Sequence, residues 1–162
     1  MAVAPRTAAK LKLLQFLTAK GLRLTSQRQA IIDTVFSTDE HFTADQLLTW
    51  ARRQDRTVSR ATVYRTLPLL TESGLVREMD FGKDRKFYDP NYAEHPDHSH
   101  IICDECNLIV EFQSERLSKL ESEISEQMGF AVKDQQLQIR GSCEEMRRLG
   151  ACTKKPSDNH NH

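Results

Sequence analysis

Residues 98–106, His98-Ser99-His100-Ile101-Ile102-Cys103-Asp104-Glu105-Cys106, set two imidazoles two positions apart directly ahead of two thiols at Cys-x-x-Cys spacing. On a β-strand residues i and i+2 point the same way, so His98 and His100 can grip one ion together. Cys103 and Cys106 offer two sulfurs at the usual spacing for a tetrahedral zinc site. Ligands of such different softness this close in sequence point to two metal sites rather than one.

The elements around this run fall into two groups. Residues 8–19 place Leu11, Leu14, Phe16 and Leu17 near helical spacing, and Gly21 stops the helix. Thr25, Thr43 and Ser59 read as N-caps of three further helices, which carry Ala30, Ile31, Val35 and Phe36, then Leu47, Leu48 and Trp50, then Val63, Leu67 and Leu70. Pro68 removes a backbone donor inside the last of these and predicts a mild kink, and Gly74 closes it. Leu75–Met79 and Arg85–Asp89, joined by a turn at 80–84, read as a β-hairpin. Helices closed by a hairpin in this order predict a winged helix-turn-helix. Beyond a linker at 91–97, strands are expected near His100–Cys103 and Leu108–Phe112, then a helix over Ser114–Met128 and a strand over Ala131–Arg140. The fold class expected is therefore α+β. Its units are a winged-helix domain at 1–90, a small α/β domain at 98–153, and a polar, disordered tail at 154–162 that carries His160 and His162.

The net charge of zero conceals an asymmetry. Residues 1–90 hold 15 Lys and Arg against 10 Asp and Glu, a net of +5, whereas residues 91–162 hold 8 against 13, a net of −5. A basic front half favours an acidic partner such as DNA. No apolar run approaches the roughly 18–20 residues that cross a bilayer, and residues 1–22 lack the compact apolar stretch of a signal peptide. A cytoplasmic location is expected, where four cysteines favour metal ligation over disulfides.

In the helix that begins at Ser59, the apolar stripe leaves Arg60, Thr62, Tyr64 and Arg65 facing outward. Arginine can fork onto guanine or hold a phosphate, and a tyrosine ring can pack on a thymine methyl. An ordinary amphipathic helix with solvated arginines has the same periodicity, so the pattern alone leaves both readings open. Arg23 and Arg28 suit phosphate contacts or plain surface better than base readout.

Three segments in order, Gly21-Leu22-Arg23-Leu24-Thr25-Ser26-Gln27-Arg28, Ala61-Thr62-Val63-Tyr64-Arg65 and His98-x-His100-x-x-Cys103-x-x-Cys106, resemble the ferric uptake regulator (Fur) family over about residues 10–152. The resemblance implies a homodimeric, metal-activated transcription factor that binds inverted-repeat DNA, with the pairing of dimers into tetramers left open. It implies a winged-helix domain followed by a dimerisation domain, no membrane, and no small-molecule substrate. By position it also implies a regulatory site of His41, Asp89, His98, His100 and Glu111, and a structural zinc site of Cys103, Cys106, Cys143 and Cys152. Members of the family normally keep the last two thiols close together. Here eight residues separate them, so an intervening helical turn must return the chain, or one of them is a free thiol.

Three imidazoles and two carboxylates suit Fe(II), Mn(II) or Zn(II). Within the family, the zinc sensors tend to use a cysteine in this site, and the peroxide sensors favour Asp where Glu111 stands. The resemblance therefore leans towards an Fe(II)-activated repressor of iron-homeostasis genes, with a peroxide- or manganese-sensing member as the alternative. From another class, a zinc hydrolase or deaminase would need an open coordination position beside an acid/base Glu such as Glu111, but the His-x-Glu and Pro-Cys-x-x-Cys pattern of deaminases is absent. A redox dithiol at Cys103 and Cys106 would sit at a strand–helix junction, whereas strands are expected on both sides here.

Overall fold

A computed structural model describes residues 5–80, 86–90, 99–133 and 135–154. His98, the hairpin turn at 81–85, the expected linker at 91–97 and the tail from 155 lie outside the described residues. The chain divides into two compact units, Met1–Pro96 and Asp97–His162.

The first unit contains helices α1 (Pro5–Ala19), α2 (Ser26–Ser37), α3 (Ala44–Gln54) and α4 (Arg60–Glu72), then strands β1 (Arg77–Asp80) and β2 (Lys86–Asp89). Helix α1 starts three residues ahead of the expected Ala8, since proline is well suited to a first helical turn. It ends where Gly21 takes φ +68°, with Leu22 N–H donating to Leu17 C=O and Gly21 N–H to Thr18 C=O, each at 2.9 Å. That pair of bonds satisfies the orphan carbonyls of the last turn. Thr25, Thr43 and Ser59 cap the next three helices as expected, and Thr43 forms a reciprocal box with Gln46. Ile31, Ile32, Val35, Phe42, Leu47, Val63 and Leu70 are sealed from solvent and hold α2, α3 and α4 around one core. Strand β1 begins two residues later than expected. Leu75 and Val76 are buried against the helices instead, and Val76 N–H returns to Leu70 C=O at 3.3 Å.

The second unit contains β3 (Ser99–Cys103), β4 (Ile109–Phe112), α5 (Glu115–Gln127), β5 (Gln138–Gly141) and α6 (Glu144–Leu149). Its sheet order is β4-β3-β5, with β4 antiparallel and β5 parallel to β3. The strand expected over Ala131–Arg140 is a correction. Among the described residues only Gln138–Gly141 pairs, against His100–Cys103 of β3. Helix α6 was expected only as a turn between the late cysteines. Across one sheet face, Ile139, Ile101 and Val110 line up in register as an exposed apolar row. Helix α5 buries no residue and exposes Leu120 and Ile124. Among the described residues no helix is long and apolar enough to cross a membrane.

Leu47 is fully buried where α3 meets the core, so Leu47→Ala is expected to lower the unfolding free energy by about 2–5 kcal/mol through lost burial and the cavity it leaves. Urea denaturation followed at Trp50, the chain's single tryptophan and a member of this unit, measures that loss.

Candidate functional site

In the first unit one isolated bridge joins the loop before α3 to the second hairpin strand. Phe42 N–H donates to Tyr88 C=O at 3.1 Å and Tyr88 N–H to Phe42 C=O at 2.8 Å. The two rings stack at 5.8 Å between centroids, and Trp50 meets Phe42 edge-on at 6.1 Å. An antiparallel bridge at 42 and 88 sets the next residues outward, His41 and Asp89, opposite each other. Their Nε2 and Oδ2 atoms stand 3.7 Å apart, and the Asp89 side chain is only 2 % exposed.

The second unit builds the same pair by a different route. His100 on β3 and Glu111 on β4 are direct cross-strand partners, with Nε2 and Oε1 3.6 Å apart. Both separations exceed a hydrogen bond and come close to the roughly 3–3.5 Å kept by two ligands that each sit about 2.1 Å from one ion. The donor set fits a divalent metal, since a buried carboxylate and imidazoles held at this spacing can each direct a lone pair to a common point. His98, the other half of the His-x-His motif, lies outside the described residues.

The thiols gather within the second unit. The sulfurs of Cys103, Cys106 and Cys143 lie within 4.8 Å of one another, and Cys106 and Cys143 are 3.9 Å apart. Four sulfurs at 2.3 Å around a tetrahedral ion would be about 3.8 Å apart, so this spacing fits zinc. The knuckle between Cys103 and Cys106 closes through Asn107 at φ +59°, whose N–H donates to Cys103 C=O at 3.0 Å. Two polar clamps bring Cys143 over it. Arg140 donates Nε and Nη2 to Asp104 Oδ1 at 3.1 and 2.8 Å, and Ser142 Oγ donates to Glu105. Burial pushes the Cys106 thiol up to about 12; the Leu108 backbone opposes the shift, and Cys103, Cys152 and Cys143 add to it. Cys152 thus stands in the surroundings of Cys106 although it lies outside the closest trio. The clamp residues Asp104, Glu105, Arg140 and Ser142 were not singled out in the sequence, where a charge at a strand end looks like any solvated side chain.

The outward face of α4 is partly spent inside the molecule. Ser59 caps the helix through Thr62 N–H at 3.1 Å, and its own N–H donates to Gln27 Oε1 at 3.2 Å. Thr62 Oγ1 donates to the same oxygen at 2.8 Å. Ser59 and Thr62 therefore anchor α4 to α2 through Gln27, a residue whose role sequence reasoning missed although it stands in the Thr25–Arg28 segment. Arg60, Tyr64 and Arg65 are exposed; Asp45 on α3 holds the Arg60 guanidinium at 2.8 Å, and that guanidinium lies 6.0 Å from the Tyr64 ring. Arg28 is half-buried and donates to the Arg23 carbonyl, while Arg23 itself is exposed.

Against known proteins, the model of the ferric uptake regulator family matches residues 19–140. The ferric uptake regulation protein of Synechococcus elongatus is 38% identical over 141 residues, covering 85% of this chain and 92% of that protein. The peroxide operon regulator of Bacillus subtilis is 35% identical over 147 residues, covering 91% and 94%. In fold the chain is similar to the Helicobacter pylori ferric uptake regulator, a structure described as having three functional metal binding sites. The TM-score is 0.81 at 20% identity, covering 93% of this chain and 99% of that one.

Burial raises the Tyr88 phenol to about 12, and the charge of Glu78, whose carboxylate Oε2 is 3.4 Å from its hydroxyl, adds to the shift. A phenol raised on folding binds its proton more tightly in the folded state, so its contribution to stability is full below pH 10 and is lost as pH rises towards 12. Denaturation midpoints read at Trp50 between pH 9 and 12 should fall less steeply in Tyr88→Phe than in the parent chain; parallel curves would refute this.

Proposed function

The chain belongs to the ferric uptake regulator family, and on that premise we propose that it is an Fe(II)-activated repressor of iron-homeostasis genes, acting in the cytoplasm as a homodimer on inverted-repeat operators. The family comprises transcription regulators rather than enzymes, and nothing in the comparisons favours a zinc hydrolase or deaminase. The observation that carries the regulatory reading is the repeated His–carboxylate pair, one copy in each unit, each already at the spacing of two ligands on one ion.

In this reading His41 and Asp89 from the DNA-binding unit join His98, His100 and Glu111 from the second unit on a single divalent ion, Fe(II) in the cell, with Mn(II) or Zn(II) able to take its place. The ion supplies the coordinate bonds that tie the two units. His41 stands two residues ahead of the Thr43 cap, so fixing its imidazole also fixes the start of α3. Asp45, in the first turn of α3, faces Arg60 on α4, which carries the constraint to the helix that enters the major groove. Arg23, Arg28, Ser59, Arg60, Thr62, Tyr64 and Arg65 form the proposed DNA-binding set. Among them Arg60, Tyr64 and Arg65 would meet bases and Arg23 phosphate, with Ser59, Thr62 and Arg28 supporting the surface from within.

Cys103, Cys106, Cys143 and Cys152 would hold a structural Zn(II). The exposed row of Ile139, Ile101 and Val110, with Leu120 and Ile124 on α5, is the apolar surface a second copy would cover. A peroxide-sensing role is the second reading, favoured by the identity to the Bacillus subtilis regulator; Glu111 speaks against it, since the peroxide sensors favour Asp there.

The test is anaerobic anisotropy of zinc-loaded protein on a labelled AT-rich inverted repeat, with and without Fe(II). Wild type should gain roughly 5–150-fold in affinity with Fe(II), and His41→Ala and His100→Ala should lose that gain while keeping the weaker metal-free binding. Variants that bind with Fe(II) as tightly as wild type would overturn the shared-ion scheme.

A further inference from the structure

Among the described residues, the fourth thiol is held differently from the other three. Cys143 is the N-cap of α6, its sulfur accepting from Met146 N–H at 3.5 Å and its carbonyl from Arg147 N–H at 3.1 Å. Seven residues later the helix closes at Gly150, which takes φ +65° and donates its N–H to Met146 C=O at 3.0 Å. The reversed chain is then strapped back onto α6. Glu145 Oε2 accepts from both Thr153 N–H at 2.7 Å and Thr153 Oγ1 at 3.0 Å. Cys152 is the residue just before the strap. A cleft of about 340 Å³ opens here, with Cys143, Glu145, Arg148 and Cys152 on its walls.

We propose that Glu145 is the positioning residue for the fourth zinc ligand, and that the α6 strap is the side from which zinc is gained and lost. The inference rests on the four thiols being a zinc site. Cys103, Cys106 and Cys143 are locked by the sheet, the knuckle and the two clamps, whereas Cys152 depends on one carboxylate gripping the next residue. Because the helix separates the two late cysteines, the spacing between them cannot by itself set the ligand, as it would in a tight turn. Glu145 does this instead, by holding the Thr153 backbone so that the thiol of Cys152 comes to the trio, its proton passing to solvent on ligation. The cleft beside it admits a competing chelator.

Zinc-loaded full-length protein would be mixed with excess of a chromogenic zinc chelator, and the release rate measured for wild type, Glu145→Ala, Glu145→Gln, Cys152→Ser and the double variant Glu145→Ala/Cys152→Ser. Loss of Glu145 should speed release roughly 10–100-fold, the scale seen when an outer-shell partner is removed. Glu145→Gln should recover most of the wild-type rate, because its amide oxygen still accepts from Thr153. The double variant should release no faster than Cys152→Ser, since Glu145 acts only through that thiol. A wild-type rate in Glu145→Ala, or a double variant faster than Cys152→Ser by the factor Glu145→Ala shows alone, overturns the proposal. A wild-type chain that retains no zinc overturns the zinc reading as well, whereas retained zinc with an indifferent Glu145 overturns only this inference.

Discussion

The second unit has almost no apolar interior. Among its described residues the buried side chains are His100, Ile102, Cys103 and Cys106, and neither α5 nor α6 buries a residue. A chain this short already buries a small share of its surface, and here the centre is built of ligands rather than hydrocarbon. Zinc on the four thiolates, as proposed, would contribute on the order of 10–16 kcal/mol, the size of a whole domain's stability. The clamps at Asp104 and Glu105 and the knuckle at Asn107 gather around the three closest thiols, alongside the backbone ladder that pairs β3 with β5.

The first unit reverses this economy. Helices α2, α3 and α4 interlock around fully buried Ile31, Leu47, Val63 and Leu70, so the DNA-facing helix rides on a rigid body. Gln27 pins its first turn to α2, and the Phe42–Tyr88 bridge brings the hairpin to the start of α3. A constraint applied at His41 therefore meets a stiff lever. The bridge and the Thr43 cap follow His41 through buried or half-buried residues, whereas the Asp45–Arg60 pair is exposed.

Much of this was legible in the chain because it is local. Thr25, Thr43 and Ser59 cap helices where their side chains can reach an amide three residues on, and Gly21 and Gly74 end helices where φ must turn positive. The Cys-x-x-Cys knuckle is likewise a short-range object. What escaped was set by partners distant in sequence. Thr62 looked outward by periodicity and Ser59 read as a cap alone, yet Gln27, more than thirty residues away, claims both. The strand at Ala131–Arg140 was read too long because its alternation says nothing of how far β3 extends to meet it. Helix α6 is short enough that its six residues resemble a turn, and its role shows only once Glu145 is seen to hold Thr153.

The His–carboxylate pairs have one more property. His41 faces Asp89, and His100 faces Glu111, only because each backbone is in one register; a slip by a single residue would turn one partner of each pair to the opposite side. If one ion takes both pairs, as proposed, its binding would gauge correct strand alignment. A chain whose hairpin or sheet had settled one step out of place would keep much of its hydrogen bonding but present no complete site. On the proposed shared-ion scheme, such misfolded copies would be silent at the operator rather than permanently active.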